Sequence, residues 1–281
     1  MAPAPIRPEP NQKRGRLTTP SKSLDPILAA HGITVRFGGL TALNNVHLAA
    51  EPGSVVGLIG PNGAGKTTLF NVLSGLISPN QGHVALRGAP HPRLRPHHLA
   101  RLGIARTFQG LNLFAGMTVV DNVAVGADRH ARANWLTALS GLGPAARDER
   151  ELRQRAMSAL AEVEASEYAF ALPATLPFGV QKRVALARAL VAEPELLLLD
   201  EPASGLSAEE LTALGERIRR LRTRMTVVLV EHHMDLVMSV CDHIVVLNFG
   251  EVIASGSPAE VRSDPGVTRA YLGEPAEDNH A

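Results

Sequence analysis

The sequence predicts an α/β fold whose sheet is mostly parallel. Two patterns carry that expectation: uninterrupted apolar runs of strand length, which suit strands buried on both faces, and amphipathic helical segments that alternate with them. A third pattern, a long helical stretch without strand signals, predicts a helical subdomain inserted into the core.

Taken in order, residues 1–26 are the first distinct segment. Pro3, Pro5, Pro8, Pro10, Pro20 and Pro26 are interspersed with Arg7, Lys13, Arg14, Arg16 and Lys22. No apolar run follows the basic residues, so no secretory signal is expected, and a segment with so little to pack reads as a disordered, solvated tail. Residues 54–59 form a short apolar strand that runs into a Gly-rich turn. Leu69, Val72, Leu73 and Leu76 then recur at helical spacing, and this helix should end near residues 75–79. From about residue 110 to 193 the pattern is helical, as at Leu152, Ala156, Leu160 and Val163. Residues 196–199 are a continuous apolar run ending in Asp200, and 226–230 and 244–247 are two more. Between them, 207–222 places Leu211, Leu214, Ile218 and Leu221 on one helical face, with Ser207 and Glu210 in capping-box spacing at its start. Residues 274–281 are polar and expected to fray. No internal repeat is present in the sequence.

Composition narrows the function. The chain has 281 residues and a net charge of +1. That length is ample for a buried core. Seven Phe, two Tyr and one Trp, on a nearly neutral chain, argue against a nucleic-acid reader that works through basic charge and stacking rings. The single cysteine, Cys241, excludes an intrachain disulfide framework and any multi-cysteine metal site. No run of about 18 apolar residues is present, so work at a membrane would need other subunits to span it.

Gly60-Pro61-Asn62-Gly63-Ala64-Gly65-Lys66-Thr67 matches G-x-x-x-x-G-K-[ST], with a strand before it and a helix after it. Glycines let successive backbone N–H groups converge on phosphates, and the helix adds its N-terminal partial positive charge. Lys66 is one of only four lysines in the chain, so its place here is not explained by composition. It can set a full charge against the β- and γ-phosphates, and the Thr67 hydroxyl can ligate Mg²⁺. Gly60, Asn62, Gly63, Ala64, Gly65, Lys66, Thr67 and Thr68 are thus the candidate nucleotide-binding residues of this turn. A second feature is the Asp200-Glu201 pair at the end of a buried strand, the edge of an open α/β sheet where ligands sit. Asp200 can hold Mg²⁺ directly or through water. Glu201 is suited to polarise a water for in-line attack on the γ-phosphorus, which favours hydrolysis over transfer to a second substrate.

With these residues the chain resembles the ATP-binding cassette ATPases, the motor subunits of ABC transporters, over residues 27–273. The resemblance implies a P-loop NTPase (RecA-like) core with a mostly parallel sheet, an antiparallel β subdomain, and the inserted helical subdomain at about 110–193. It implies ATP and Mg²⁺ as cofactors. It places Gln109, in Arg106-Thr107-Phe108-Gln109, at the metal and at the interface that senses a membrane partner. It sets Phe37 against the adenine, a kind of stacking worth about 1–3 kcal/mol. His232 resembles the switch histidine that hydrogen-bonds the γ-phosphate, with His233 the competing assignment. Lys66, Glu201 and His232 would then be the catalytic set. The family signature, normally Leu-Ser-Gly-Gly-Gln, is Leu176-Pro177-Phe178-Gly179-Val180 here. Pro177 lacks the serine hydroxyl that would reach a partner's ATP, Val180 lacks the amide, and Phe178 and Gly179 remain to approach the nucleotide. The loop Ala203-Ser204-Gly205-Leu206-Ser207 also departs from the pattern, ending in Ser rather than Asp.

The Leu-Pro-aromatic-Gly signature, the segment 231–238, the turns at 256–260 and 264–267 and the ending Ala270-Tyr271-Leu272-Gly273-Glu274 resemble the ATPases of branched-chain amino acid importers. This implies a second cassette, either a copy or a paralogue. It also implies permease subunits docking near Leu111, Leu113 and Phe114, a separate solute-binding protein, and a peripheral position on the cytoplasmic face of the inner membrane. Cassettes of the same branch for urea or amide import, or for lipopolysaccharide export, are the alternatives. A soluble cassette acting on ribosomes or DNA is disfavoured by the lack of a basic footprint.

Overall fold

The computed structural model describes residues 25–107, 110–127 and 144–272. The expected tails, apart from Asp25 and Pro26, lie outside the described residues, as does Gln109.

The first sheet is antiparallel. Strands β1 (Leu28–Phe37) and β2 (Leu40–Ala50) pair as a hairpin, and β4 (Gln81–Leu86) and β5 (Ala89–His91) extend it in the order β2-β1-β4-β5. The second sheet holds β3 (Val55–Ile59), β6 (Ile104–Arg106), β7 (Leu196–Asp200), β8 (Thr226–Val230), β9 (His243–Asn248) and β10 (Glu251–Gly256), in the order β10-β9-β3-β8-β7-β6. Every pairing in it is parallel except the edge pair β9–β10. The expected α/β fold with a mostly parallel sheet is the fold observed.

The apolar runs are continuous because β3, β7 and β8 are buried along their whole length. Their side chains alternate between two cores, as the period of two in a strand requires. Val55, Ile59, Leu197, Leu199, Val227 and Leu229 face one core, and Val56, Leu58, Leu196, Leu198, Val228 and Val230 the other. The second core is closed by the antiparallel sheet and by helix α1 (Lys66–Leu73), which contributes Leu69, Phe70, Val72 and Leu73. The first is closed by helices α2 (Val119–Val125), α3 (Pro144–Glu162), α4 (Phe178–Leu190), α5 (Ala208–Leu221) and α6 (Met234–Val240). In α3, Ala156 and Leu160 are buried, Val163 is buried just beyond its end, and Leu152 is partly so. Between 110 and 193 the described residues hold helical segments and no strand. Helices α7 (Pro258–Ser263) and α8 (Pro265–Leu272) end the described chain. No helix among the described residues is long and apolar enough to cross a membrane.

Local chemistry sets several boundaries. Helix α1 stops where the Ser74 hydroxyl bonds back to the Phe70 carbonyl and Gly75 turns left-handed at φ 70°. Helix α5 starts on the reciprocal capping box of Ser207 and Glu210 that the spacing predicts. Cys241 is buried, and its Sγ fills the space that a Cβ on Gly57 would enter. Burial pushes its thiol up to about 12, which makes it inert as a nucleophile.

Candidate active site

The turn between β3 and α1 owes its shape to glycine. Gly60 has φ 149°, and a Cβ there would lie 2.1 Å from the Leu247 carbonyl oxygen. Gly65, at φ 100°, is the N-cap of α1, and its Cβ would lie 2.8 Å from the Ala42 oxygen. Gly63, at φ 80°, has open space around it, so only its backbone conformation asks for glycine. No side chain caps the helix start. The first amides of α1 therefore have no intrahelical partner, and with the helix dipole they form a cradle for an anion. Ala64 is buried under the turn, whereas Asn62, Gly63 and Thr67 are exposed and Thr68 is half-buried. The Lys66 ammonium is buried and donates to the carbonyls of Gly60 at 2.7 Å and Pro61 at 2.8 Å. Burial lowers its pKa, and the negative charge of Glu201 acts against that shift. The Lys66 turn and the end of β7 thus lie within electrostatic reach of each other at the same end of the sheet, although 135 residues separate Lys66 and Glu201 in sequence.

Asp200 ends β7 as a buried residue and pairs with Arg106 at 2.9 Å, the two side chains being 8% and 6% exposed. Arg106 also bonds the Ser74 hydroxyl and stacks over the Phe70 ring, 4.8 Å from its centroid. Burial raises the Asp200 pKa, while Arg106 opposes the rise. Glu201 follows in a left-handed conformation, φ 45°, with its N–H on the Val230 carbonyl at 3.0 Å. Non-glycine residues in that region carry backbone strain, and such strain clusters at functional sites.

The histidine pair sits in the loop after β8. Glu231, fully buried, accepts the amides of His232 at 3.0 Å and His233 at 3.3 Å, and the His233 ring at 3.1 Å. The His233 imidazole is thereby drawn inward, while that of His232 is 53% exposed. Phe37 lies at the exposed end of the β1–β2 hairpin. Ala42 of the same hairpin packs on Gly65. Phe178 and Gly179 open α4. Phe178 is half-exposed, and its ring packs on Gly205. Gly179 faces Glu210 of the same chain, whose Oε1 would lie 1.8 Å from a Cβ there. Gly179, expected to approach a nucleotide, thus also makes a close contact inside its own chain.

Four residues were not singled out by sequence for the contacts they make. Arg106 stands in the sequence only as a neighbour of Gln109, yet it holds Asp200. Lys182 reaches the backbone of Glu201 and Pro202, each at 3.0 Å. Glu231 ties the histidine loop to the turn after β7 through the Ala203 amide at 2.6 Å. Tyr271 brings helix α8 toward the phosphate turn: burial raises the pKa of its phenol, and the nearby Gly60 backbone acts against that rise.

A lysine-bearing glycine turn facing two carboxylates from a parallel strand of the same sheet defines the class of P-loop nucleotide hydrolases. Comparison with known proteins narrows the class. Residues 43–204 match the family described as ABC transporter, and residues 251–277 match that described as branched-chain amino acid ATP-binding cassette transporter. The chain is 46% identical over 251 residues to the high-affinity branched-chain amino acid transport ATP-binding protein BraF of Pseudomonas aeruginosa, covering 89% of this chain and 98% of that one. LivG of Escherichia coli, which carries the same description, is 42% identical with the same coverage. Among solved structures, the ADP conformation of the ATP-binding cassette MJ1267 aligns with a TM-score of 0.77 at 30% identity, over 89% of this chain and 99% of that chain. The dimeric cassette MJ0796 bound to ADP and Pi aligns at 0.70 and 27% identity, over 82% and 98%. The chain belongs to the ABC transporter family, as a nucleotide-binding cassette ATPase.

Proposed function

We propose that this chain is the ATP-hydrolysing motor of an importer for branched-chain or other hydrophobic amino acids. The observation that carries the reading is that similarity continues past the nucleotide core into 251–277, the segment whose α8 reaches back to Gly60 through Tyr271. In this reading the cassette sits on the cytoplasmic face of the membrane against permease subunits, pairs with a second cassette, and never touches the solute, which a separate binding protein supplies.

The residues take the following roles. The amides of the 60–67 turn and Lys66 grip the triphosphate, and Phe37 stacks on the adenine. Phe178 and Gly179 present the start of α4 to the nucleotide of the paired cassette. The donor set suits magnesium: Thr67 supplies a hydroxyl oxygen and Asp200 a carboxylate one of whose oxygens already faces Arg106. Gln109 would complete the set. When bound, the metal would neutralise phosphate charge. Glu201 orients and deprotonates the attacking water, and His232, whose ring is the more exposed of the pair, donates to the γ-phosphate. Differential binding of ATP and ADP across two cassettes then favours the closed pair before hydrolysis and the open pair after it.

The test uses the chain assembled with the membrane subunits that co-purify with it, in vesicles. ATP-driven uptake of labelled leucine is expected, and Glu201→Gln is expected to lower turnover by at least about 10²-fold, the lower range for a general base, while nucleotide affinity changes less than about twofold. Normal turnover in that variant would remove Glu201 from its role. Uptake of urea or an amide in place of leucine would transfer the cassette to another solute.

A further inference from the structure

The turn that presents Glu201 closes on itself through the Ser204 amide, which donates to the Glu201 carbonyl at 3.3 Å, and it is also held from outside. At φ 45° a glutamate is in a region that is strained for an L-residue, so the surrounding contacts must fix it. On its N-terminal side the Glu201 amide is pinned to the Val230 carbonyl at 3.0 Å. On its C-terminal side the Lys182 ammonium donates to the carbonyl oxygens of Glu201 and Pro202, both at 3.0 Å. Holding two consecutive carbonyls fixes two consecutive peptide planes. Together with the pinned amide, this sets both soft dihedrals of Glu201 and thus the direction in which its Cα–Cβ bond leaves the backbone. Beyond it, the Ala203 amide is fixed on the Glu231 carboxylate at 2.6 Å.

Lys182 itself belongs to α4, the helix that begins with Phe178 and Gly179. Its ammonium lies 5.6 Å from the centroid of the Phe178 ring, and that ring packs on Gly205, where a Cβ would approach within 2.8 Å. A cation, a ring and a bare glycine therefore join the first turn of α4 to the 201–205 turn. The contact is made by one of the four lysines in a chain otherwise rich in arginine. Burial lowers the Lys182 pKa and the charges of Glu231 and Glu201 offset part of that, in keeping with an ammonium held between these groups.

We propose that Lys182 is a positioning residue for Glu201, tying the carboxylate of one chain to its own α4, so that a shift of that helix against a partner's nucleotide re-aims the carboxylate. The proposal rests on Glu201 being the water-activating group. Misplacement by about 1 Å of a group that positions a reactant can cost about a hundredfold in rate.

The full chain with Mg-ATP provides the test, read as steady-state turnover, KM for ATP, equilibrium binding of a fluorescent ATP analogue, and melting temperature. Lys182→Met keeps the stem and its cover on Phe178 but removes the donors. It is expected to lower kcat about ten- to a hundredfold, with KM and affinity changed less than about twofold, and Lys182→Arg is expected to recover part of the loss. An unchanged kcat, or a kcat that falls only in step with affinity or folded fraction, overturns the proposal. If Lys182→Met melts below the assay temperature, Lys182→Gln, which retains one amide donor, is measured against the same split. Glu201→Gln run in parallel separates the two readings. Normal turnover there removes the role of Glu201 itself, whereas a dead Glu201→Gln beside a normal Lys182→Met removes only that of Lys182. In the Glu201→Gln background, adding Lys182→Met should leave residual turnover unchanged, since no carboxylate is left to misplace. A further tenfold loss would mark a structural role and overturn the proposal.

Discussion

The turn after β3 and the turn after β7 leave the same end of one parallel sheet, and both bend the backbone into positive φ. They reach it by different means. The first uses Gly60, Gly63 and Gly65, for which the conformation costs little. The second forces φ 45° on Glu201 and holds it with the Val230 carbonyl, the Lys182 ammonium and the Glu231 carboxylate. The difference follows from what each turn must present. A phosphate cradle is made of amides, so a residue without a side chain serves it. A water-activating position needs a carboxylate, so glycine is not an option, and the strain is held by distant groups as well as by the turn's own bond from the Ser204 amide to the Glu201 carbonyl.

Three substitutions would break or sharpen this contrast. Gly60→Ala should have the largest effect, because its Cβ would sit 2.1 Å from a backbone oxygen that has little freedom to move. A loss of about 3 kcal/mol or more is expected, at or beyond the upper range for overpacking, together with loss of nucleotide binding. Calorimetry and nucleotide titration check it, and a normal melt with normal binding would mean that the first turn does not depend on glycine. Glu231→Ala comes next. It removes the acceptor for the amides of Ala203, His232 and His233 and should cost about 2–3 kcal/mol, in the range for leaving buried donors unmet. Turnover should fall more than affinity, because the Glu201 and His232 turns loosen while the phosphate turn stays intact. Equal losses in both would erase the distinction between the two turns. Ser207→Ala, at the far end of the second turn, removes one arm of the α5 capping box and should cost only about 1 kcal/mol, read as a fall in melting temperature of about 2–4 °C. A much larger loss would show that this turn, too, is governed by its local sequence.

Legibility in the sequence follows the same division. The runs at 196–199 and 226–230 became β7 and β8 because a strand buried on both faces has no reason to alternate, and Ser207–Glu210 became a cap because its partners are three residues apart. The hairpin of β1 and β2 gave no comparable signal from its residues. Its register shifts between Ala30 and Ile33, and again on either side of Val35, so the period of two is interrupted. Within the site, Lys66 and the Asp200–Glu201 pair stood out because each lies in a short motif with a mechanical reason for its spacing. The two histidines did not differ in this way, since adjacent histidines look alike in sequence, and only the fold shows that the His233 ring lies nearer the Glu231 carboxylate than that of His232.

By itself, then, the sequence determined the elements that depend on neighbours along the chain: which runs are buried strands, where glycine permits a turn, where a helix is capped, and that a phosphate is the ligand. Only the tertiary structure decided which charge meets which. Arg106 finds Asp200 because β6 lies beside β7, Lys182 finds the Glu201 carbonyl because the first turn of α4 meets the turn after β7, and Tyr271 comes near Gly60 because α8 returns toward the first turn. Charges and hydrogen bonds act over a few ångströms in space, and sheet order and helix packing, rather than position along the chain, set those distances.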